Sequence, residues 1–285
     1  MKVVVTGARG QVGSALTGSC PAGIQLTALD RKTLDITDRA AVRETVSSIR
    51  PDIVINAAAY TAVDKAESEP DLARAVNSNA PHFLSEAITD FGGKMVQIST
   101  DFVFDGQSNS AYLPQDRRAP VSVYGSTKSD GEDAIGEAGL IVRTSWVYAA
   151  GHGNFVRTML RLMQERDEVR VVADQIGAPT WAAGLAQTIW GLIGAKAQGV
   201  FHHCDAGTAS WYDFAVAIKE EAQQIGLLSR DIPIIPITTA QYPTPARRPV
   251  FSLLDCNATH ELLGDARPHW RENLRQMLKE ERTLA

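Results

Sequence analysis

Short apolar runs recur along the chain, with amphipathic stretches between them. KVVVT (2–6), DIVINAAA (52–59), KMVQIST (94–100) and LIVRTSWVY (140–148) show little polar alternation. Runs of this kind are typical of strands buried on both faces. Further strands are predicted at 24–30 and 169–174, and helices at about 38–50, 70–91, 122–138 and 153–166. Strands that alternate with helices in this way predict right-handed βαβ units and an α/β fold of the Rossmann type, with a doubly wound parallel sheet.

The pattern changes after about residue 175, where prolines separate shorter elements. The clearest amphipathic helix of this part is WYDFAVAIKEEAQQIG, residues 211–226. We therefore expect a dinucleotide-binding domain over 1–174 that also carries the catalytic pair described below. Residues 175–285 form a smaller, mixed and mainly substrate-binding region, from which some chain can return to the sheet. The crevice between this region and the carboxyl edge of the sheet is the expected ligand site.

Composition excludes several classes of partner. The 285 residues are 44% hydrophobic and 21% charged, and the net charge is −5 without a long basic run. This balance gives no support to a nucleic-acid or anionic-membrane partner. No apolar stretch approaches the ~18 residues of a membrane span, and the chain begins directly with a strand rather than a signal peptide, so a cytoplasmic location is expected.

Cysteines and histidines do not suggest a metal site. The three cysteines, at 20, 204 and 256, are odd in number and far apart, which favours a reducing compartment over a disulfide framework or a zinc site. FHHCD (201–205) places two histidines side by side. In a strand they would face opposite sides, so structural histidines are favoured over ligands.

GARGQVG, residues 7–13, follows the first strand and opens a helix. It supplies Gly7, Gly10 and Gly13, with Gln11 and Val12 between the last two. Glycines let the backbone turn tightly and approach a pyrophosphate, whose charge is favoured at a helix N-terminus. The spacing is G-x-x-G-x-x-G, and its position between strand and helix predicts dinucleotide binding over a plain turn.

Two charged residues at the end of the second predicted strand concern the choice of cofactor. Asp30 can accept hydrogen bonds from an adenosine ribose, which favours NADH, whereas Arg31 can meet the 2′-phosphate of NADPH. Both cofactors are therefore expected. Asp35 and Ile36 lie where an adenine can rest, or they form an ordinary polar turn and a core side chain.

NAAAY, residues 56–60, ends the third strand with small side chains. Ala57, Ala58 and Ala59, with Tyr60 after them, leave room for a ligand at the strand's carboxyl end. Close helix packing is an equally good explanation of the three alanines.

VYGSTKSDGE, residues 123–132, places Tyr124 and Lys128 four apart, on one face of a predicted helix. Reduction of a ketone needs a proton on oxygen, and a tyrosine can supply it. Its ordinary pKa is ~10, and a nearby ammonium would lower that pKa. Lys128 can also hold the nicotinamide ribose, and Thr100, at the end of the fourth strand, can donate to the same carbonyl oxygen. Taken alone, the pair would be a surface aromatic and cation, and the threonine a helix cap.

These residues together resemble the extended short-chain dehydrogenase/reductase family. Six further motifs resemble its dTDP-4-dehydrorhamnose reductases: INAAAYTAVDKAE (55–67), STDFVFDG (99–106), YGSTKSDGE (124–132), RTSWVYA (143–149), DQIGAPT (174–180) and PARRPVFSLLD (245–255). The resemblance implies NAD(P)-dependent reduction of the 4-keto group of dTDP-4-dehydro-6-deoxy-L-mannose to dTDP-L-rhamnose. The alternatives are a related nucleotide-sugar reductase or epimerase, or a non-catalytic regulatory subunit of methionine adenosyltransferase.

The resemblance also implies substrate contacts. Thr100, Asp101 and Trp146 match positions that contact the sugar, whereas Asn154, Phe155 and Arg248 lie in segments that line the nucleotide diphosphate site. An arginine suits a diphosphate because its fork makes paired hydrogen bonds. A core role for Trp146 and a solvated charge for Arg248 are the competing interpretations.

One departure from the family concerns metal. Some relatives dimerise through magnesium held by glutamates, but this chain has Ser14, Ala15, Ala182 and Ala183 at the corresponding places. Hard cations need oxygen ligands. We therefore expect no metal, and a monomer or a weak homodimer without a metal bridge.

Overall fold

The computed structural model describes residues 1–264 and 267–284. Its strands are β1 (Lys2–Thr6), β2 (Gln25–Leu29), β3 (Ile53–Asn56), β4 (Lys94–Thr100), β5 (Leu140–Thr144), β6 (Val147–Tyr148), β7 (Val169–Val172), β8 (Ile176–Gly177), β9 (Thr180–Trp181), β10 (Gly199–His202), β11 (Ala209–Ser210) and β12 (Ile234–Ile237). Its helices are α1 (Gln11–Gly18), α2 (Arg39–Ile49), α3 (Val63–Ala66), α4 (Pro70–Arg74), α5 (Ala80–Thr89), α6 (Val123–Asp133), α7 (Phe155–Glu165), α8 (Ala182–Gly194), α9 (Trp211–Gln224), α10 (Asn257–Leu263) and α11 (Trp270–Leu284).

Six parallel strands form the main sheet in the order β10-β5-β4-β3-β1-β2. The predicted Rossmann-type fold is confirmed. Alternate residues of the apolar runs point to opposite faces, so each run fills two cores. On one face Val3 and Val5 pack with Leu16 of α1, and on the other Val4 packs with Leu84 of α5.

The predicted helix over 70–91 is divided into α4, a turn of π-helix at Ala75–Asn79, and α5. Pro81 lies in the first turn of α5, where a missing N–H costs little. The π turn joins α4 to α5, so the backbone stays helical from Pro70 to Thr89.

The predicted strand at 169–174 forms as β7, but it lies outside the main sheet. It pairs with β12 in a separate two-stranded parallel sheet. The sixth place in the main sheet is taken by β10, which returns from the second half of the chain to pair with β5. The local pattern of apolar residues cannot show which sheet a strand joins, because the partner of each strand is distant in sequence.

His202 and His203 contact different groups, as strand geometry requires. A ring nitrogen of His202 bonds the carbonyl of Asp255 at 3.1 Å, whereas His203 bonds the hydroxyl of Thr188 at 2.9 Å. Burial lowers the pKa of each histidine to about 3. Within residues 1–264 and 267–284, no group of three or more His, Cys, Asp or Glu side chains is placed to hold a metal ion. No helix in the described part of the chain is long and apolar enough to cross a membrane.

Candidate active site

The glycine turn between β1 and α1 is set by close backbone contacts. Gly7 has φ +65°, and a Cβ there would lie 2.6 Å from the amide nitrogen of Ala58. A Cβ on Gly13 would lie 2.2 Å from the carbonyl oxygen of Gly7, whereas one on Gly10 would meet that oxygen at 3.3 Å. The first N–H groups of α1, from Gln11 onward, have no acceptor within their helix. The turn therefore has the close backbone and the free N–H groups that a pyrophosphate site needs, and its contact with a cofactor stays a prediction.

The cation beside Asp30 is Arg9 of the glycine turn, not Arg31. The Arg9 guanidinium lies 2.7 Å from the Asp30 carboxylate, and the arginine side chain is 76% exposed. Burial acts to raise the pKa of Asp30, but the N–H groups of Thr33 and Lys32, the Thr33 hydroxyl and Arg9 together lower it. Sequence adjacency singled out Arg31, whereas the turn brings Arg9 across the sheet edge.

Asp35 lies in a polar turn and Ile36 is a core side chain, which are the alternatives to adenine contact that the sequence left open. The Asp35 carboxylate accepts hydrogen bonds from the N–H and hydroxyl of Thr37, at 3.0 and 2.7 Å, and these bonds lower its pKa. Ile36 is buried in the core between the sheet and α2. Contact of either with an adenine stays a prediction.

The segment Ala57–Tyr60 lies half-buried directly after β3, and Ala58 faces Gly7. The Tyr60 N–H donates to the side-chain oxygen of Asn77 at 2.8 Å. The amide nitrogen of Asn77 donates to the Thr127 hydroxyl at 3.2 Å, so this residue of the π turn joins the alanine segment to α6. We missed Asn77 in the sequence, where nothing local distinguishes it from other helix asparagines.

Tyr124 and Lys128 are buried, with 9% and 4% exposure, and do not form a surface pair. Ser122 caps α6 through the N–H of Gly125 and thereby fixes the start of the helix. Burial raises the pKa of Tyr124 to about 12, while a hydrogen bond with Thr100 acts to lower it and the charge of Asp101 acts to raise it.

The expected lowering of the tyrosine pKa by Lys128 is not what the structure gives. The Lys128 ammonium donates to the carbonyl of Ile98 at 2.7 Å. Burial lowers the pKa of this ammonium to about 8, and the nearby Glu132 carboxylate acts to raise it. With the lysine turned to these groups, Tyr124 stays a neutral phenol at pH 7, which is the form that donates a proton.

Glu132 is a positioning residue that the sequence analysis did not single out. Its carboxylate accepts a bidentate pair of hydrogen bonds from Arg143, at 2.8 and 2.7 Å, and one from the Ser99 hydroxyl at 2.5 Å. The available signal was its place four residues after Lys128, on the same helix face. Through these bonds α6 is fixed to β4 and β5.

Asp101 presents an unused acceptor beside the hydroxyls of Thr100 and Tyr124. Its Oδ1 accepts from Thr100 at 3.0 Å, whereas Oδ2 is buried without a hydrogen-bond partner among the described residues. Burial raises the pKa of Asp101 to about 6, against the opposing effect of the Ser252 and Thr100 hydroxyls. A buried free oxygen of this kind fits a sugar hydroxyl.

Trp146 is held in a strained backbone conformation with φ +47°. Its ring stacks on Trp211 with centroids 3.6 Å apart, and it lies 2.9 Å from where a Cβ of Gly177 would be. Phe155 contacts the same Trp211 at 4.6 Å, and both line a cleft of about 1030 Å³. We missed Trp211, although an aromatic residue at the start of a helix in the substrate region was a visible signal.

Arg248 lines the same cleft and is not a solvated charge. Its guanidinium makes a bidentate pair with Asp64 of α3, at 3.0 and 2.7 Å, and donates to the Thr244 hydroxyl at 2.6 Å. The hydrogen bond from Arg248 lowers the pKa of Asp64. The pair joins the first half of the chain to the segment after β12 across the cleft.

Asn154 caps α7 and binds the glycine turn. Its Oδ1 accepts from the N–H of Arg157 at 3.1 Å, and its Nδ2 donates to Gln11 Oε1 at 3.0 Å. The Gln11 amide in turn donates to the carbonyl of Val147 at 3.2 Å. A contact of Asn154 with substrate stays a prediction.

The chain matches known proteins over nearly its full length. The model of the RmlD substrate binding domain matches residues 1–283. A dTDP-4-dehydrorhamnose reductase of Burkholderia thailandensis is 44% identical, over 95% of this chain and 96% of the relative. A dTDP-4-dehydrorhamnose reductase of Bacillus anthracis, solved in complex with NADP, is 38% identical with a TM-score of 0.92, over 98% of this chain and 99% of that one. The structure of a dTDP-4-dehydrorhamnose reductase from Clostridium acetobutylicum has the same identity and TM-score, over 99% of this chain and 100% of that one. The chain therefore belongs to the RmlD family, the family of the dTDP-4-dehydrorhamnose reductases.

Proposed function

We propose that this protein reduces the 4-keto group of dTDP-4-dehydro-6-deoxy-L-mannose and releases dTDP-L-rhamnose. The observation that carries this proposal is the convergence of Thr100, Tyr124 and Asp101 at the carboxyl end of β4. The glycine turn lies at the same edge of the sheet, and the cleft with Arg248 lies beside it. A ketone held there meets two hydroxyls and a free carboxylate oxygen.

The cofactor is held by the first half of the chain, residues 1–174. The proposed contacts are the turn Gly7, Gly10, Gln11, Val12 and Gly13, the adenosine site at Asp30, Arg31, Asp35 and Ile36, the segment Ala57, Ala58, Ala59 and Tyr60, and the pair Tyr124 and Lys128. NADPH or NADH, when bound, supplies the hydride. Lys128, buried with a hydrogen bond to the Ile98 carbonyl, has further N–H donors for the nicotinamide ribose.

The protein supplies the proton. Tyr124, neutral at pH 7, donates its hydroxyl proton to the carbonyl oxygen as the carbon accepts hydride. Thr100 donates a hydrogen bond to the same oxygen and so stabilises the negative charge that develops there. Lys128 acts by holding the ribose and not by lowering the pKa of Tyr124, because its ammonium donates to the Ile98 carbonyl.

The remaining residues orient the nucleotide sugar, and of these Arg248 lies in the region 175–285. Asp101 accepts a sugar hydroxyl through Oδ2, and Trp146 covers the ring. Asn154 and Phe155 lie at the start of α7, and Arg248 binds the diphosphate, for which it exchanges its bond to Asp64. A bidentate fork that already holds a carboxylate has the geometry that a phosphate needs.

The test is NADPH consumption by the purified protein with dTDP-4-dehydro-6-deoxy-L-mannose, followed by identification of the product. We expect oxidation of NADPH only when this sugar is present, with one dTDP-L-rhamnose formed per NADPH. A UDP-linked 4-keto sugar serves as the control. Conversion to an epimer without net NADPH oxidation would indicate an epimerase, and binding of nucleotide without turnover of any sugar would indicate a non-catalytic subunit.

A further inference from the structure

Two of the three cysteines lie together, in an apolar cluster separate from the one that contains Tyr124. Cys204 follows β10 and Cys256 precedes α10, and each is 1% exposed within one apolar cluster. Two hydrogen bonds hold their segments together. The Thr259 hydroxyl donates to the carbonyl of His202 at 2.6 Å, and the His202 ring bonds the carbonyl of Asp255 at 3.1 Å.

The two thiols differ in character. Their mutual interaction raises the pKa of Cys204 and lowers the pKa of Cys256, and the Cys256 thiol donates to the carbonyl of Leu254 at 3.6 Å. Arg267, which donates to the carbonyl of Cys204 at 3.1 Å, also acts to lower the pKa of Cys256. The Ser145 hydroxyl lies 3.2 Å from the sulfur of Cys204. A thiol with more thiolate character beside a second thiol is the arrangement of an attacking and a resolving cysteine.

A cavity of about 160 Å³ reaches both sulfur-bearing residues, with Ala178, Leu254 and Arg267 in its wall. A cavity of this size holds several water molecules and so admits a small peroxide. Burial in the apolar cluster therefore does not isolate the pair from small oxidants.

We propose that Cys204 and Cys256 form a reversible intramolecular disulfide when the protein meets a hydroperoxide. The Cys256 thiolate attacks the peroxide oxygen, which breaks the O–O bond and gives a sulfenic acid and an alcohol, or water from hydrogen peroxide. The Cys204 thiol then attacks the sulfenic sulfur, an S–S bond forms, and water leaves with the thiol proton. A dithiol reductant restores both thiols by exchange.

The bond would fix the segment that follows Arg248 and Ser252 to the end of β10. It closes a loop of about 50 residues, so the oxidised protein should resist unfolding better than the reduced one. Cys20, half-buried just after the end of α1, provides an internal control for general thiol oxidation.

The test treats the reduced full-length protein with hydrogen peroxide, then maps peptides and counts free thiols under denaturing conditions. We expect a mass lower by about 2 Da, two thiols lost, and one peptide pair that joins Cys204 to Cys256 and separates with dithiothreitol. The Cys20→Ser variant should behave in the same way, whereas Cys204→Ala and Cys256→Ala should give no such pair.

Two results would overturn the proposal. One is an oxygen adduct on Cys256 without a disulfide, and the other is loss of Cys20 before either buried thiol. Peptide mapping uses the wild-type chain, so the result stands even if a cysteine variant fails to fold.

Discussion

Tyr124 is the residue on which the proposed proton transfer depends. Replacing it with phenylalanine removes the acid and keeps the ring that packs edge-to-face with Phe102 at 5.4 Å. We expect turnover to fall about 10²–10⁴-fold, the usual effect of losing a positioned acid, with cofactor affinity nearly unchanged. Steady-state rates and NADPH titration measure the two quantities. Tyr212→Phe, on α9, is the matched control, and a Tyr124→Phe rate within a few-fold of wild type would remove Tyr124 from this role.

Arg9 is the structure's candidate for discrimination between the two cofactors. Its guanidinium lies beside Asp30, at the place where an adenosine 2′-phosphate would be met, and it is exposed enough to turn to that phosphate. Arg9→Ala should raise the KM for NADPH about 10-fold or more and change that for NADH little, since a charge-assisted hydrogen bond is lost only in the first case. Arg31→Ala is the competing variant, because Arg31 is also proposed at the adenosine site. A larger NADPH effect at Arg31 than at Arg9 would assign the 2′-phosphate contact to Arg31.

Asp101 links the active site to stability. Its pKa is raised from 3.8 to about 6, so the unfolded chain ionises first as pH rises. The carboxyl therefore destabilises the fold increasingly between pH 4 and pH 6, and fully above that. The substitution Asp101→Asn should raise the free energy of unfolding by about 2–3 kcal/mol at pH 8, and by about half of that at pH 5.

Urea unfolding of both proteins at the two pH values measures this difference. Asp105→Asn is the control of opposite sign, because the N–H of Gln107 and the hydroxyl of Tyr112 lower the pKa of Asp105. Its carboxylate contributes stability above the ordinary pKa and loses it as pH falls. If Asp101→Asn raises the free energy of unfolding equally at both pH values, the pKa of the Asp101 carboxyl is not raised in the folded protein.

Single residues differed in how far sequence could place them. Tyr124, Lys128 and Thr100 were predicted because their chemistry follows from spacing and from the strand end. Arg9, Glu132 and Asp64 were missed. Each acts through a partner 11 to 184 positions away, and of the three only Glu132 had a local signal, its place four residues after Lys128.

At the scale of elements, the strand-to-helix turn is the most constrained part of the cofactor site. Gly13→Ala would place a Cβ 2.2 Å from the Gly7 carbonyl, against backbone that cannot move without opening the turn. We expect loss of measurable NADPH binding and a lower midpoint of thermal unfolding. Gly18→Ala, in the last turn of the same helix, meets nothing within 4 Å and should stabilise the protein by about 0.5–1 kcal/mol. Calorimetry and cofactor titration test both, and a tolerated Gly13→Ala would contradict the tight turn.

Element type was more predictable than element partnership. The unalternated runs at β1, β3, β4 and β5 predicted buried parallel strands because both of their faces are covered by helices. The run at β7 is also rich in valine, although Arg170 is exposed between buried residues, and it pairs with β12 instead. The short GVFH of β10 gave no strand signal of comparable length, yet it completes the sheet. Pairing depends on how the whole chain closes, which periodicity does not record.

At the scale of the whole molecule, the four positions where some relatives carry magnesium ligands lie mostly in packed surroundings. Ala182 is fully buried, and Ser14 is half-buried with its hydroxyl donating to the Ala8 carbonyl at 3.1 Å. Helices α1 and α8 pack against each other, and the Trp190 indole donates to the carbonyl of Leu16 at 3.2 Å. These four positions are therefore at most half-exposed to a neighbouring subunit.

This packing bears on assembly. A divalent bridge needs carboxylates at the interface, and none of these four side chains provides one. We propose that the protein is a monomer or a dimer held by apolar burial, so EDTA should change neither its mass in solution nor its rate. Light scattering and NADPH oxidation, each with EDTA and with Mg²⁺ restored, measure both, and Mn²⁺ in place of Mg²⁺ controls for non-specific ion effects. If the chelator lowers the mass or the rate and Mg²⁺ restores it, carboxylates elsewhere on the surface form the site, and the assembly depends on metal.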